Sequence, residues 1–311
     1  MRYINRLLTF SYLILIFSFF SCTSSRNIIA SGKVTPKGAW KVGFNSSFNI
    51  ASESISQLDD VAEAAIDVIS DRAKNNNPVY YSDSVKVLTR ALMAYSLDPV
   101  APNFDFYVRY GVAERVDIGY RYASGASVFD AMYQFMGSTG TPNNPGPAGI
   151  YGSIGLQYSG QKSNLPKKLG FNKLSPLLTY EASRKDILIP LVFSKSFGPE
   201  EQYGNISWGL VYGHSFIKYG FRPGNLYERI GGNSRKINDF MDKENYSSYG
   251  GFVNAKIGFK YAYFLPSLNF YYQNYGTYNF FNLQQESYKG FTIIPSLGLQ
   301  VNLGYGKAGR R

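Results

Sequence analysis

The 311-residue sequence contains one cysteine and one histidine. A single Cys leaves no intramolecular disulfide to form, and one Cys with one His cannot build a metal site of the usual kind. Charge is also sparse, at 17% of residues, where soluble domains carry about one quarter. There is no Walker loop and no dinucleotide fingerprint, so no cofactor is indicated. No basic run or binding motif points to nucleic acid. The formal net charge of +11 is therefore either a solvated surface excess or an attraction to lipid head groups and lipopolysaccharide phosphates. Long apolar runs are missing beyond residue 20. The best is 187–193, too short for a membrane-spanning helix and broken by Pro190. If the body of the chain enters a membrane, it does so as a closed β-barrel, because only that alternative satisfies the backbone in lipid.

Aromatic side chains are abundant, 27 Tyr and 23 Phe among them. Such rings suit a membrane–water interface, where the ring is apolar and the phenol tip is wet. A fibrous or sugar-binding β protein would show the same bias.

The amino terminus has the layout of a secretory signal: Arg2 and Arg6, then an apolar stretch from Leu7 to Phe20. It ends in Ser21-Cys22-Thr23-Ser24-Ser25. A small residue directly before Cys resembles the lipobox of bacterial lipoproteins, although Phe19 and Phe20 stand where Leu and a small residue are usual. The resemblance implies cleavage before Cys22 and acylation of its thiol, two or three chains giving a firm anchor where one would be marginal. An ordinary signal peptide with an incidental Cys is the alternative. Without Arg2 and Arg6 the net charge falls to +9.

Beyond residue 38 apolar residues alternate over about ten positions at a time, the pattern of barrel strands. Trp40, Val42, Phe44, Phe48 and Ile50 open the series. Phe104, Phe106, Val108, Tyr110 and Val112 pair across Ala113-Glu114-Arg115 with Val116, Ile118, Tyr120 and Tyr122, the cleanest hairpin in the chain. Further strands are expected over 150–158, 174–182, 186–197, 206–212, 249–259, 264–272 and 293–303. The expected fold is an all-β, antiparallel, up-and-down transmembrane β-barrel of ten strands. That count takes 116–136 as one strand with an irregularity at Ser124-Gly125, since splitting it gives an odd number. Twelve is the alternative if 275–283 also pairs. Short turns at 113–115 and 260–262 then face the periplasm, and 218–248 forms an external loop.

Ile55, Leu58, Val61, Ala62, Ala65, Ile66 and Ile69 recur at helical spacing. A second helix is expected over 83–95, stopped by Asp98-Pro99. This helical insertion at 52–98 caps the barrel mouth or enters it as a plug. The whole chain thus divides into a signal peptide (1–21), a lipidated tether (22–37), a barrel (38–305) and a tail (306–311).

The segment Ser296-Leu297-Gly298-Leu299-Gln300-Val301-Asn302-Leu303 resembles the terminal strand signal of outer-membrane barrels, which implies the barrel assembly machinery as a partner. The chain as a whole resembles outer-membrane β-barrel lipoproteins of Gram-negative bacteria. That likeness implies an outer-membrane location, a lipid anchor, and contact with outer-membrane lipids and lipopolysaccharide.

Candidate functional residues are few. Asp105, Arg109, Asp117, Arg121, Glu181, Lys256 and Lys260 are expected to face the lumen, as a structural ion-pair network or a polar conduit. His214 shares parity with Trp208, Leu210 and Tyr212 and is expected to face lipid, with no catalytic partner spaced around it. Three functions stay open: a structural or surface-interaction barrel, a narrow transporter for a small or hydrophobic solute, and a membrane-embedded hydrolase using His214.

Overall fold

The computed structural model describes residues 26–59, 79–81, 83–164, 178–281 and 285–305. In chain order the elements are β1 (Trp40–Ala51), α1 (Ser52–Asp59), β2 (Val79–Tyr80), α2 (Asp83–Leu97), β3 (Ala101–Ala113), β4 (Val116–Ala123) and β5 (Ala126–Met136). There follow β6 (Ile150–Asn164), β7 (Leu178–Phe197), β8 (Gly204–Pro223), β9 (Leu226–Ile230), β10 (Asn233–Lys236), β11 (Phe240–Phe259), β12 (Ala262–Asn279) and β13 (Gln285–Leu303). Ten of the strands close into one antiparallel barrel, each beside its sequence neighbour, with β1 sealing against β13 from Trp40↔Leu303 to Ala51↔Thr292. The short β2, β9 and β10 form a separate three-stranded sheet.

The period of two decides which way each side chain points. Along β13, Leu297, Leu299 and Val301 are exposed while Ser296, Gln300 and Asn302 are buried in the lumen. The outer wall carries Leu210 at 68%, Phe291 at 63% and Phe106 at 61% exposure. Water would penalise so wide an apolar surface, and a bilayer would not. The inner wall mixes Ser, Asn, Gln and charged residues with buried apolar ones, Leu188, Val192, Val211, Phe252 and Ile294 packing against Ile28 and Val34.

The barrel has two unlike ends. One, the turn end, holds the start of β1, the end of β13 and the connections at 114–115, 137–149, 198–203 and 260–261. The other, the helical end, holds α1 and α2, the β4–β5 turn and the connection that carries β9 and β10. There β7, β8 and β11 rise as a tall wall, paired from Phe197↔Gly204 to Leu178↔Pro223 and on to Phe240↔Phe221. α2 packs on the inside of this wall: Val85, Leu92, Met93 and Leu97 bury against Tyr180, Tyr219, Phe221 and Tyr278.

The count of ten arises through two compensating differences from the sequence reading. Ser124 and Gly125 are a hairpin turn between β4 and β5, both with positive φ (42° and 96°), the geometry that matches strand twist. Conversely, 174–182 and 186–197 are not two strands, since β7 runs unbroken through Ser183 to Lys185. The segment 218–248 is not an open loop, because β8 and β11 pair as far as Phe221↔Phe240 and β9–β10 fill its tip. Residues up to Asn279 extend β12, so no further pair of strands arises there. α1 and α2 fall where helices are expected, while 60–78, the signal region, Cys22 and the tail lie outside the described residues.

Candidate functional site

The lumen is filled by the chain's own residues 26–39. Arg26 sits at the helical end and Gly38 at the turn end, so the segment passes down the barrel axis before β1 begins. Read as part of a tether, it is instead a plug. Its backbone has no strand partner along most of its length, and inward side chains of the wall take that place. Ile28 N–H donates to Asn269 Oδ1 (3.0 Å), Gly32 N–H to Ser194 Oγ (3.1 Å) and Val34 N–H to Gln134 Oε1 (3.2 Å). Thr35 donates both its N–H and its hydroxyl to Asp117 Oδ2, each at 2.7 Å. In return the carbonyls of Asn27 and Ala30 accept from Arg121 (2.6 Å) and Asn254 (3.1 Å). Gly32 lies so close to the wall that a Cβ there would sit 2.5 Å from the Tyr151 carbonyl oxygen.

Charged groups lock both ends of the plug. At the helical end the Arg26 guanidinium pairs with Asp98, both fully buried. Asp98 also accepts from Thr292 (2.5 Å), Asn49 (2.6 Å), Gln273 (2.9 Å) and Tyr275 (2.9 Å). Burial pushes the Asp98 pKa up, but Arg26 and the Thr292 hydroxyl outweigh it and hold the pKa at about 2. At the turn end Lys33 pairs with Glu200, and Lys256 pairs with Glu201 at 2.7 Å. Glu200 and Glu201 have φ of 54° and 58°, in the left-handed region that costs non-glycine residues about 1–2 kcal/mol each. Ser138 (2.6 Å) and Gly146 N–H (3.0 Å) also donate to Glu200, and Ser31 to Glu201, so the strained turn is held from several sides.

Of the residues expected in the lumen, the structure brings Asp105, Arg109, Asp117, Arg121 and Lys256 to it. Arg109 bridges Asp117 (2.5 Å) and Asp130, Arg121 binds Gln157 (3.1 Å) as well as the plug, and Asp105 accepts from Asn45 at 2.6 Å. Glu181 departs from the expectation. Because β7 is one strand, its even residues face inward, which turns Glu181 outward to pair with exposed Arg222 at 2.9 Å. The same parity sends Arg184 and Asp186 inward as a buried pair at 2.6 Å, which the sequence reading missed. Lys260 is in the β11–β12 turn and does not line the lumen. Two lumen cavities, of about 50 Å³ and 60 Å³, flank the plug. Each has room for a few water molecules and none for a larger solute.

His214 faces outward from β8. Its ring meets Phe216 edge-on at 4.7 Å, and its Nδ1 is 3.2 Å from the Ser247 hydroxyl. Among the described residues no carboxylate bonds to it, and no group of acids, His and Cys is placed to hold a metal.

No family model and no curated protein matches the sequence. Among solved structures it is similar to outer-membrane β-barrels. The attachment invasion locus protein Ail of Yersinia pestis aligns over 86% of this chain and 99% of its own, at 9% identity and a TM-score of 0.29. Neisserial surface protein A aligns over 85% and 99%, at 8% identity and 0.30. The outer membrane protease OmpT of Escherichia coli aligns over 90% and 100%, at 9% identity and 0.27. Scores this low do not transfer a role from any of them.

Proposed function

We propose that the protein is an outer-membrane lipoprotein, acylated at Cys22, whose sealed barrel serves as a structural or surface-interaction platform and not as a pore. The observation that carries this reading is the lumen: residues 26–39 occupy it from Arg26 to Gly38 and are bonded to the wall throughout. The insertion between β1 and β3 and the connection carrying β9 and β10 both lie at the helical end, which supports reading it as the outward face, since periplasmic turns are short. His214, packed between an aromatic ring and a serine, offers no acid–base pair for hydrolysis.

The plug's direction bears on the anchor. Arg26, the first described residue, lies at the helical end beside Asp98. From Arg26 back to Cys22 is four residues, a reach of about 14 Å, whereas the apolar band is about 25 Å tall. The acyl chains therefore belong on the helical side, in the outer leaflet. Labelling with a membrane-impermeant maleimide tests this. Single cysteines at Ser24, at Asn233 on the β9–β10 tip and at Glu114 in the β3–β4 turn are compared on intact and permeabilised cells. Ser24→Cys is expected to label with Asn233→Cys on intact cells. Labelling only alongside Glu114→Cys would refute the threading.

A further inference from the structure

The outer wall of the tall side changes character abruptly. Outward residues of β8 run Ile206, Trp208, Leu210, Tyr212, His214 and Phe216, and the next is Lys218. Ten residues of tilted strand at about 3.3 Å each rise roughly 25 Å, the full height of an apolar band. Lys218 thus stands at the first position beyond the hydrocarbon, where lipid head groups lie.

It does not stand alone. Lys243 on β11 is directly opposite Lys218 in the ladder. On the other flank, Lys218 pairs with Ser183, which places Lys185 of β7 diagonal to it. Ser183 in turn pairs with Lys162 of β6. All four lysines are exposed and outward, forming a row across four adjacent strands. None makes an ion pair among the described residues. The one carboxylate on this face nearby, Glu181, is diagonal to Lys218 and already bound to Arg222. Asp242 and Glu244 flank Lys243 but have the opposite parity. Like charges directly opposed on a sheet repel, so the Lys218–Lys243 pair costs stability unless an anion sits between them.

We propose that this row is a binding surface for the phosphate groups of the outer-leaflet glycolipid, with one phosphate held between Lys218 and Lys243 and its acyl chains lying on the aromatic wall beneath. The assignment rests on the reading of the helical end as the outward face. Flexible lysines suit phosphates as point charges, and tyrosines Tyr212 and Tyr249 below them, ring centroids 5.6 Å apart, give the sugar–acyl junction an amphipathic floor.

The test uses the full-length protein in detergent, with native mass spectrometry to count bound lipid. The probes are lipid A with both phosphates, the same glycolipid stripped of them, and inorganic phosphate as competitor. The wild type is expected to retain the phosphorylated lipid and release the stripped one. K162Q/K185Q/K218Q/K243Q is expected to lose retention at least tenfold, K218Q/K243Q to lose most of it, and K195Q at the turn end to lose none. In lipid-free detergent K218Q/K243Q is expected to unfold at higher urea than wild type, since a repulsion is gone. Equal retention of both glycolipids, an equal loss in K195Q, or displacement by millimolar inorganic phosphate would each overturn the lipid-phosphate site. The maleimide labelling decides separately whether the helical end is outside, so failure of the orientation is distinguishable from failure of the site.

Discussion

Replacing Asp98 with Asn keeps the shape of the side chain and removes its charge, which isolates what the anion does for the plug. In the wild type Asp98 is fully buried and takes five donors, of which only Arg26 is itself charged. The substitution leaves the buried Arg26 guanidinium without a counter-ion, although Gln273 still accepts from it. Breaking one side of a buried pair costs about 3–5 kcal/mol, and the retained Gln273 bond argues for the lower end. About 3 kcal/mol multiplies the open population of the plug's outer end by roughly a hundredfold. Hydrogen exchange reads that opening residue by residue. The Ile28 amide, bonded to Asn269 beside Arg26, is expected to exchange about a hundredfold faster. The Thr35 amide, held by Asp117 at the far end of the plug, is expected to change little. Pairing Asp98→Leu with Arg26→Met, which removes both charges, is expected to restore most of the protection. Equal acceleration at Ile28 and Thr35, or none at either, would refute a local lock at Asp98.

Acid should mimic part of that substitution. With its folded pKa depressed to about 2 from 3.8, Asp98 contributes about 2 kcal/mol above pH 4. That contribution is lost as pH falls toward 2, so the melting temperatures of wild type and Asp98→Asn are expected to converge over that range. Gly125→Ala puts a Cβ at φ +96° with open space around it. A purely conformational loss of about 1–2 kcal/mol is expected, seen as a lower urea midpoint. Trp40 and Trp208, the two tryptophans, both face outward at 44% and 42% exposure. Lipids brominated on their acyl chains are expected to quench both, and unquenched emission from Trp208 would remove it from the bilayer.

Much of the barrel was readable because lipid enforces a strict alternation. Each strand must be apolar on one face, so Phe104, Phe106 and Val108 announce β3 without help from any partner. Boundaries between strands were harder. The parity of the buried positions flips across Ser124-Gly125, from Asp117 and Arg121 in β4 to Val128 and Met132 in β5, and that flip was the available sign of a hairpin. In β7 the stretch Ser183-Arg184-Lys185 reads as a break between strands, because inward Arg184 is satisfied by Asp186 inside the barrel, out of reach of any local rule. Glu181 was misdirected for the same reason, the strand having been cut between them. The plug left no pattern at all. Residues 26–39 lie along the lumen without a ladder, so no period of two or 3.6 marks them, and their wall partners are as far as 247 residues away in the chain. One hint was present in the surplus of Asn, Ser and Gln on inward faces, more hydrogen-bonding capacity than a ladder-satisfied wall needs.

The strongest consequence of the plug concerns conductance. Ten strands alone enclose a narrow interior, and here it also holds a chain segment, leaving cavities of about 50 Å³ and 60 Å³ beside it. The intact protein in a planar bilayer is therefore expected to show no steady porin-like conductance. Replacing residues 27–36 with a flexible Gly-Ser linker removes the partners of Asn269, Ser194, Gln134 and Asp117 while leaving the barrel ladder untouched. The wall's own pairs, Arg109 with Asp117 and Asp130 and Arg184 with Asp186, still constrict the passage. Small, flickering conductance is the expected gain, with the heat-dependent gel shift of a folded barrel retained. Should the variant keep that shift yet stay as tight as wild type, the wall and not the plug would be the seal. Should wild type itself conduct steadily, residues 26–39 would have to leave the lumen in the membrane, and the platform reading would give way to a gated channel.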